Sequence, residues 1–456
     1  MSNNQQVLGT EPVGKLLLKY SLPAIIGMMV NGLYNVVDRI FIGNMPGVGP
    51  LAITGLGVTM PIMTIIIAFG MLIGIGTATN ISIKLGQGKK EEAEKFLGNA
   101  ITLSVIVGLT IMVVGLIFGN QILQLFGASE GSLQYAKAYI NVILLGTMFN
   151  LIGFVFNSTI RGDGNPKLSA TIMVVGCGLN IVLDAMFIFV LSVGIQGAAL
   201  ATIISQCVTA VLGLTYYTKG KSNLKLHKAN LKLNKSLVLT IAAIGSAPFA
   251  MQLAASCVQV ISNNALRTYG GDLAIGAMAT INSIIMMVGM PIVGISQGAQ
   301  PIIGFNYGCK KYDRVEKTLK LATITATLGL TIGWLIVQFY PEPIVSMFNS
   351  DVELVNISVD GIRKYLIMMP LIGISMIGSN YIQSIGNAKQ AMFLGLLRQV
   401  ILLVPMMLIL PKFLGLNGVW FSQPVADLIS CIVTFILVSR EIKSHKVKDT
   451  DVENVA

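Results

Sequence analysis

Twelve stretches of mainly apolar sequence, each long enough to cross a bilayer as a helix, follow one another along this chain. They centre near Met29, Ile67, Ile106, Leu145, Val175, Ser205, Ala250, Met290, Ala326, Pro370, Val400 and Cys431. About 20 apolar residues, at about 1.5 Å of rise each, match a hydrocarbon core roughly 30 Å thick. In lipid every backbone N–H and C=O has to be bonded within the protein, so segments this long are read as helices. The expected fold is therefore an all-α integral membrane protein with twelve transmembrane helices. Only 11% of the residues are charged, against about 25% in soluble domains. The 48 glycines fit the same class, because small residues let membrane helices approach closely.

A formal charge of +11 raises nucleic acid as a partner, but the placement of the charge argues against it. Lys84, Lys89, Lys90 and Lys95 follow the second stretch, Arg161 and Lys167 the fourth, and the lysines from Lys219 to Lys235 the sixth. Lys310, Lys311, Arg314 and Lys317 follow the eighth, Lys389 the tenth, and Arg440 to Lys448 lie in the tail. The opposite loops carry less positive charge: Lys137, Arg267 and Lys412 are isolated there, Arg363–Lys364 is the one adjacent pair, and Glu130, Glu342, Asp351 and Glu353 lie on that side. The positive-inside rule then puts both termini and the long loop in the cytoplasm. The start, MSNNQQVLGTEPVGK, is polar, so no cleavable signal peptide is expected. Cys177, Cys207, Cys257, Cys309 and Cys431 are too scattered for a disulfide framework or a metal site. His227 and His445 fall in lysine-rich segments, poor places for a proton relay.

The chain is also duplicated. Leu51-Ala52-Ile53 recurs as Leu273-Ala274-Ile275, and Gly88-Lys89-Lys90 resembles Gly308-Cys309-Lys310-Lys311. Gly164-Asn165-Pro166-Lys167 recurs as Gly386-Asn387-Ala388-Lys389, and Gly194-Ile195-Gln196-Gly197 as Gly415-Leu416-Asn417-Gly418. The shared offset of about 222 residues carries the argument, since glycine turns recur by chance. An even number of spans per repeat inserts both copies the same way round. Two pseudo-symmetric six-helix bundles are expected, with a cavity between them, as in transporters built from parallel repeats. The expected boundaries are an N-lobe at 1–218, a basic cytoplasmic linker at 219–236 and a C-lobe at 237–456.

Within the first stretch Asn31, Tyr34, Asn35 and Asp38 fall on one helical face. A carboxylate at that depth costs about 3 kcal/mol on insertion scales, so it points to an ion or proton pathway. Helix–helix hydrogen bonding is the plainer alternative. Arg39 points about 100° away from Asp38 and need not pair with it. Pro23, upstream, permits a kink. In the fifth stretch Asn180 and Asp184 again share a face, and Thr202 lies in the sixth. Two carboxylates, an amide and a hydroxyl can bind a hard cation through oxygen or share a proton. A structural Asn–Asp packing pair remains the alternative.

The second repeat has no carboxylate opposite Asp38; Gln259 and Asn263 occupy that region. Arg398 and Asp427 lie deep in the last two stretches, where they either pair across neighbouring helices or serve a function. Gln252, Gln259, Asn282, Gln297 and Gln300 are placed to face a central cavity, with helix–helix bonds as the alternative. Met286 and other methionines suit an adaptable apolar wall.

The runs YNVVDRIFIG (Tyr34–Gly43), VGPLAITGLG (Val48–Gly57), RGDGNPK (Arg161–Lys167), QGAQPIIGFNYG (Gln297–Gly308) and QPVADLIS (Gln423–Ser430), in this order on twelve spans, resemble the MATE (multidrug and toxic compound extrusion) family. The resemblance covers nearly the whole chain and is to the MepA-like bacterial branch. It implies V-shaped lobes and alternating access in a bacterial inner or plasma membrane. The implied activity is that of an antiporter rather than an enzyme, exporting amphipathic drugs and organic cations in exchange for H⁺ or Na⁺. It also implies a cation site on Asp38, Asn180, Asp184 and Thr202 with Tyr34 nearby, and a polar cavity position at Asn157. The carboxylates that some members carry on helices 7 and 10 of the C-lobe are missing here, apart from Asp360 near an outer end. Ion coupling is thus expected in the N-lobe, with Asn31, Asn35, Asn157, Gln252, Gln259, Asn282, Met286, Gln297 and Arg398 lining the substrate cavity. No cofactor is expected and no metal beyond Na⁺. The partners expected are the drugs and the lipid bilayer, with the chain acting as a monomer. Occupancy of the ion site is expected to alter the first helix at Pro23–Gly27 and to lower drug affinity. The rival reading is a flippase for lipid-linked oligosaccharides, which calls for a strongly cationic cavity. A channel or a membrane-embedded enzyme finds no filter repeat or nucleophile constellation here.

Overall fold

A computed structural model describes residues 3–43, 45, 49–126, 130–220, 222–348 and 351–453. The side chains of Arg39 and His445, on which expectations above fall, lie outside the described set. In the first half, α1 spans Val13–Gly43, α2 Gly49–Gly86 and α3 Lys90–Leu125. There follow α4 (Glu130–Gly162), α5 (Pro166–Ala185) and α6 (Ile195–Thr218). In the second half, α7 spans Lys235–Gly271, α8 Leu273–Gly308 and α9 Tyr312–Phe339. The tenth span, α10, is a bent pair, Val352–Tyr365 and Met369–Ser384, which meet at 54°. The last two are α11 (Ala388–Leu414) and α12 (Leu416–Glu453). By length and composition, eleven described helices are apolar enough to cross a membrane, and the bent pair makes a twelfth. Every expected span centre falls inside one of them.

The repeat is visible in backbone geometry. Gly164 and Gly386 have φ of 97° and 85°, and Gly194 and Gly415 have 74° and 56°. These left-handed turns, which glycine adopts without steric cost, close α4, α10, the segment after α5 and α11. Gly88 at 75° is matched by Lys310 at 58°. The caps repeat as well: Asn165 Oδ1 accepts from Leu168 N, and Asn387 Oδ1 accepts from Gln390 N. In each case a side-chain oxygen satisfies an orphan N–H of the helix start.

Packing divides the chain into two compact units. Unit 1 holds the described residues of Met1–Thr10 and Ile26–Gln252; unit 2 holds Glu11–Ile25 and those of Leu253–Ala456. The first turns of α1 therefore belong with the second repeat, and the first half of α7, through Gln252, with the first. This differs from a division at the linker, and small residues account for it. In unit 2, a Cβ on Gly298 would lie 2.7 Å from Ser21 Cα and one on Gly294 2.7 Å from Ile25 Cα. In unit 1, Gly76 meets the backbone of Ile241, and Gly245 that of Leu72. Gly76 and Gly298 are equivalent at the repeat offset, so each repeat receives the opening half-helix of the other through the same glycine.

The basic linker is a folded strap on unit 1. Asn99 of α3 donates from Nδ2 to Asn230 O (3.2 Å) and accepts at Oδ1 from Asn234 N (2.7 Å). Thr102 donates to Leu231 O at 2.8 Å, and Glu94 accepts from Lys225 N at 2.9 Å. His227 Nε2 lies 3.4 Å from Glu94 Oε2. At the α4–α5 corner, buried Asp163 accepts at Oδ2 from Tyr216 Oη (2.7 Å) and Asn223 N (3.0 Å).

Candidate functional site

Helix α1 has two faces. Leu22, Ile26, Met29, Leu33, Val36 and Ile40 are exposed and apolar, as a lipid-facing stripe requires. Asn31, Tyr34, Asn35 and Asp38 are half-buried on the other side. There the fold of unit 1 brings the expected cluster together at the end remote from the basic loops. Asp184 is fully buried at the end of α5, and its side chain lies within hydrogen-bonding reach of Asp38. Asn180, one turn earlier, turns Nδ2 toward Asp184 Oδ2 (2.9 Å) and Oδ1 toward Thr202 N (3.2 Å) and Oγ1 (3.3 Å). The reverse amide orientation would aim oxygen at a carboxylate, so the network selects this one. Thr202 Oγ1 also lies 3.1 Å from Ala198 O.

Tyr139 of α4, which the sequence did not single out, completes the cluster. Its ring is buried in an apolar group with Ile42, Ile140 and Ile188, and its hydroxyl lies near the Thr202 side chain. Tyr34 stands in the electrostatic field of both carboxyl groups. Asn31 lies beside Cys177 of α5, and Asn35 donates from Nδ2 to Asn31 O at 2.6 Å. These contacts hold the polar face of α1 against α5.

Two acidic side chains within hydrogen-bonding reach cannot both remain ionised without repulsion. A shared proton relieves this, and so does a cation taking oxygen ligands from Asp38, Asp184 and Thr202. Asp184 Oδ1 is buried and receives no hydrogen-bond donor, which leaves it open to either. Among the described residues no group of three or more His, Cys, Asp or Glu gathers as a metal site.

Asn157 is not part of this cluster. It lies 18 residues beyond Tyr139 on α4, a rise of about 27 Å. There Asn157 accepts at Oδ1 from Arg161 Nη1 (2.9 Å) and donates to Ser169 O (3.0 Å), fixing the α4–α5 corner.

Unit 2 contains a cavity of about 180 Å³ whose lining includes Gln259, Ser262, Asn282, Tyr365, Arg398, Gln399 and Gln423. Three of the expected cavity residues thus come together: Gln259, Asn282 and Arg398. Gln252 belongs to unit 1, Met286 is 53% exposed, and Gln297 is half-buried on α8. Arg398 donates from Nε to Asp427 Oδ1 at 2.7 Å, which realises the pairing of α11 with α12. Gln423 donates to the same oxygen at 2.9 Å and accepts from Tyr365 Oη at 3.1 Å.

Known proteins with the same sequence pattern and fold are transporters. The family profile described as MatE matches residues 23–186 and 248–409. Multidrug export protein MepA of Staphylococcus haemolyticus is 27% identical over 424 residues, 93% of this chain and 93% of its own length. The solved structure of the MATE multidrug transporter DinF-BH is 37% identical, with a TM-score of 0.89 and coverage of 96% of this chain and 98% of that one. An outward-facing multidrug resistance MATE family transporter of the MOP superfamily is 25% identical, with a TM-score of 0.91 and coverage of 98% and 99%.

Proposed function

The chain belongs to the MatE family, and from that premise we propose that it is a multidrug efflux antiporter in which Asp38 and Asp184 bind the coupling ion. The observation that carries this reading is the meeting of those two carboxyl groups on the Asn180–Thr202 network. One protonation state, or one bound cation, satisfies both acids; its departure leaves them in repulsion. The site therefore has two states of different free energy, and an ion gradient can drive the change between them. Amphipathic, often cationic drugs bind in the polar and methionine-lined cavity in the ion-free state, and ion entry lowers their affinity. Two ligands with opposed preferences for two states exchange by linkage.

In this reading H⁺ or Na⁺ enters from outside and bends α1 near Pro23–Gly27, where the helix passes from one packing unit to the other. Asn180, Thr202 and Tyr139 order the acids, while Asn31 and Asn35 set the face of α1. The protein works as a monomer in the bacterial inner membrane with both termini in the cytoplasm. A lipid-linked oligosaccharide flippase needs a cationic cavity for pyrophosphate. The deep arginine of this chain, Arg398, is engaged by Asp427, which weighs against that rival.

Expression of Asp38→Asn in a drug-sensitive host is expected to abolish resistance at unchanged protein level. Full resistance in that variant defeats the assignment. Drug efflux from vesicles under separately imposed H⁺ and Na⁺ gradients then names the ion.

A further inference from the structure

The duplicated scaffold places the unit 2 cavity where unit 1 holds its carboxylates. At an offset of about 221 residues, Gln259 stands for Asp38 and Gln423 for Thr202. The charge is inverted. Among the residues lining this cavity the one ionised group is Arg398. Its counter-charge, Asp427, is 2% exposed and lies behind the wall, held by Arg398 Nε and Gln423 Nε2. Two further residues of the lining carry a buried polar atom without a hydrogen-bond partner. Ser262, 2% exposed, has no bond at Oγ, and Gln399 has none at Oε1. Buried polar groups are nearly always hydrogen-bonded.

The backbone is shaped to present this set. Successive residues of an α-helix point about 100° apart, yet Arg398 and Gln399 both line the cavity. They sit in the π-helical segment Leu397–Leu403, whose wider turn changes the angular spacing of its side chains. Such segments are common at functional sites.

We propose that this cavity binds a carboxylate group, with one oxygen accepting from the Arg398 guanidinium and the other from the Ser262 hydroxyl. A volume of about 180 Å³ exceeds the roughly 150 Å³ that accommodates benzene in an apolar cavity. The occupant is a small free carboxylate or the acidic head of a larger amphiphile. The cavity shares Gln259, Asn282 and Arg398 with the expected drug site, but the proposal concerns equilibrium binding alone, so its test needs neither the coupling ion nor transport and can fail separately from ion-coupled efflux.

The test uses the full-length protein in detergent carrying Trp334→Phe, so that Trp420 reports. Trp420 packs edge-on against Tyr365 at 6.5 Å between ring centroids, and Tyr365 lines the cavity. Fluorescence is followed during titration with benzoate, benzamide and benzylamine. Benzoate is expected to saturate and to bind about tenfold more tightly than either analogue, as a charge-assisted pair implies. Arg398→Gln combined with Asp427→Asn, which avoids an orphaned buried acid, is expected to erase that preference. Should the double variant fail to fold, Ser262→Ala serves, with a severalfold loss of benzoate affinity. Dodecanoate separates the two sources: tighter, Arg398-dependent binding than benzoate marks an amphiphile head, and equal or weaker binding marks a small acid. Absence of saturable benzoate binding, preference for benzylamine, or unchanged benzoate affinity in the folded double variant or in Ser262→Ala overturns the proposal.

Discussion

Arg398 donates from Nε to Asp427 Oδ1 at 2.7 Å, joining α11 to α12 within unit 2. Among the described residues Asp184 in unit 1 has no such cation; its neighbours there include Asp38 and Asn180. One repeat therefore pairs its buried acid with an arginine, and in the proposed mechanism the other leaves its acids to a mobile ion. Removing the arginine alone strands Asp427 in a buried site. Arg398→Met is expected to destabilise the protein by about 3 kcal/mol, and Arg398→Met with Asp427→Leu to recover most of it. A double-mutant cycle on thermal unfolding in detergent checks this; two additive single effects would mean that the pair does not act as a unit.

In unit 1 the opposite sign is expected. Asp184→Asn keeps an oxygen for Asn180 Nδ2 and removes the repulsion with Asp38, so the variant should melt at a higher temperature than the wild type. It should also lose ion-driven drug efflux about tenfold or more, because the two states no longer differ in ion affinity. A variant that melts lower while retaining efflux contradicts the like-charge account.

Tyr139→Phe removes the hydroxyl near Thr202, and any hydrogen bond it gives the ion site, while preserving the ring in its apolar group. A neutral hydrogen bond contributes about 1 kcal/mol, which corresponds to roughly a fivefold change in affinity. The apparent affinity for the coupling ion should fall by that amount, with the maximal efflux rate nearly unchanged. Efflux rate measured against ion concentration separates the two parameters.

The helical fold was legible because hydrophobic length and loop charge are local signals, and the repeat because left-handed turns need particular residues at Gly164 and Gly386. Asp38, Asn180, Asp184 and Thr202 were legible because polar residues in apolar spans stand out. Tyr139 was not, since a tyrosine one turn after Tyr135 reads equally as packing. The division of α1 and α7 between units was hidden for another reason. It depends on which backbone Gly298 and Gly76 admit, and a glycine announces close approach without naming its partner. Asn157 shows the converse: its polarity was visible, but its service to Arg161 and Ser169 required the chain turn to be built.

Asp163 gives a pH signature outside the spans. Burial raises its carboxyl from the ordinary 3.8 to about 6, although Tyr216 and Asn223 donate to it and oppose the rise. Above pH 6 it is ionised in both the folded and unfolded states, and the folded state bears the penalty. As pH falls from about 6 to about 4 the folded state takes up the proton first, so stability is gained through that window and is complete below it. A rise of about two units corresponds to roughly 3 kcal/mol. The stability difference between wild type and Asp163→Asn should therefore shift in favour of wild type by about that amount from pH 7 to pH 4. Unfolding of both proteins at the two pH values checks it; a constant difference excludes a raised carboxyl.

Gly76 and Gly298 test the exchanged half-helices. Each lets a backbone pass where a methyl group has no room: Gly298 against Ser21, Gly76 against Ile241. The obstructing atoms are main chain, so relief requires moving a helix rather than turning a rotamer. Gly298→Ala and Gly76→Ala are each expected to destabilise by about 2 kcal/mol, as overpacking does. Gly289 lies on α8 too, but a Cβ there meets nothing within 4 Å. Gly289→Ala should be neutral or stabilise by up to about 1 kcal/mol, because alanine is the better helix former. Melting temperatures of the three variants in one detergent decide the matter. Equal behaviour at Gly298 and Gly289 would show that Ser21 does not press on α8, and that the opening half of α1 packs elsewhere.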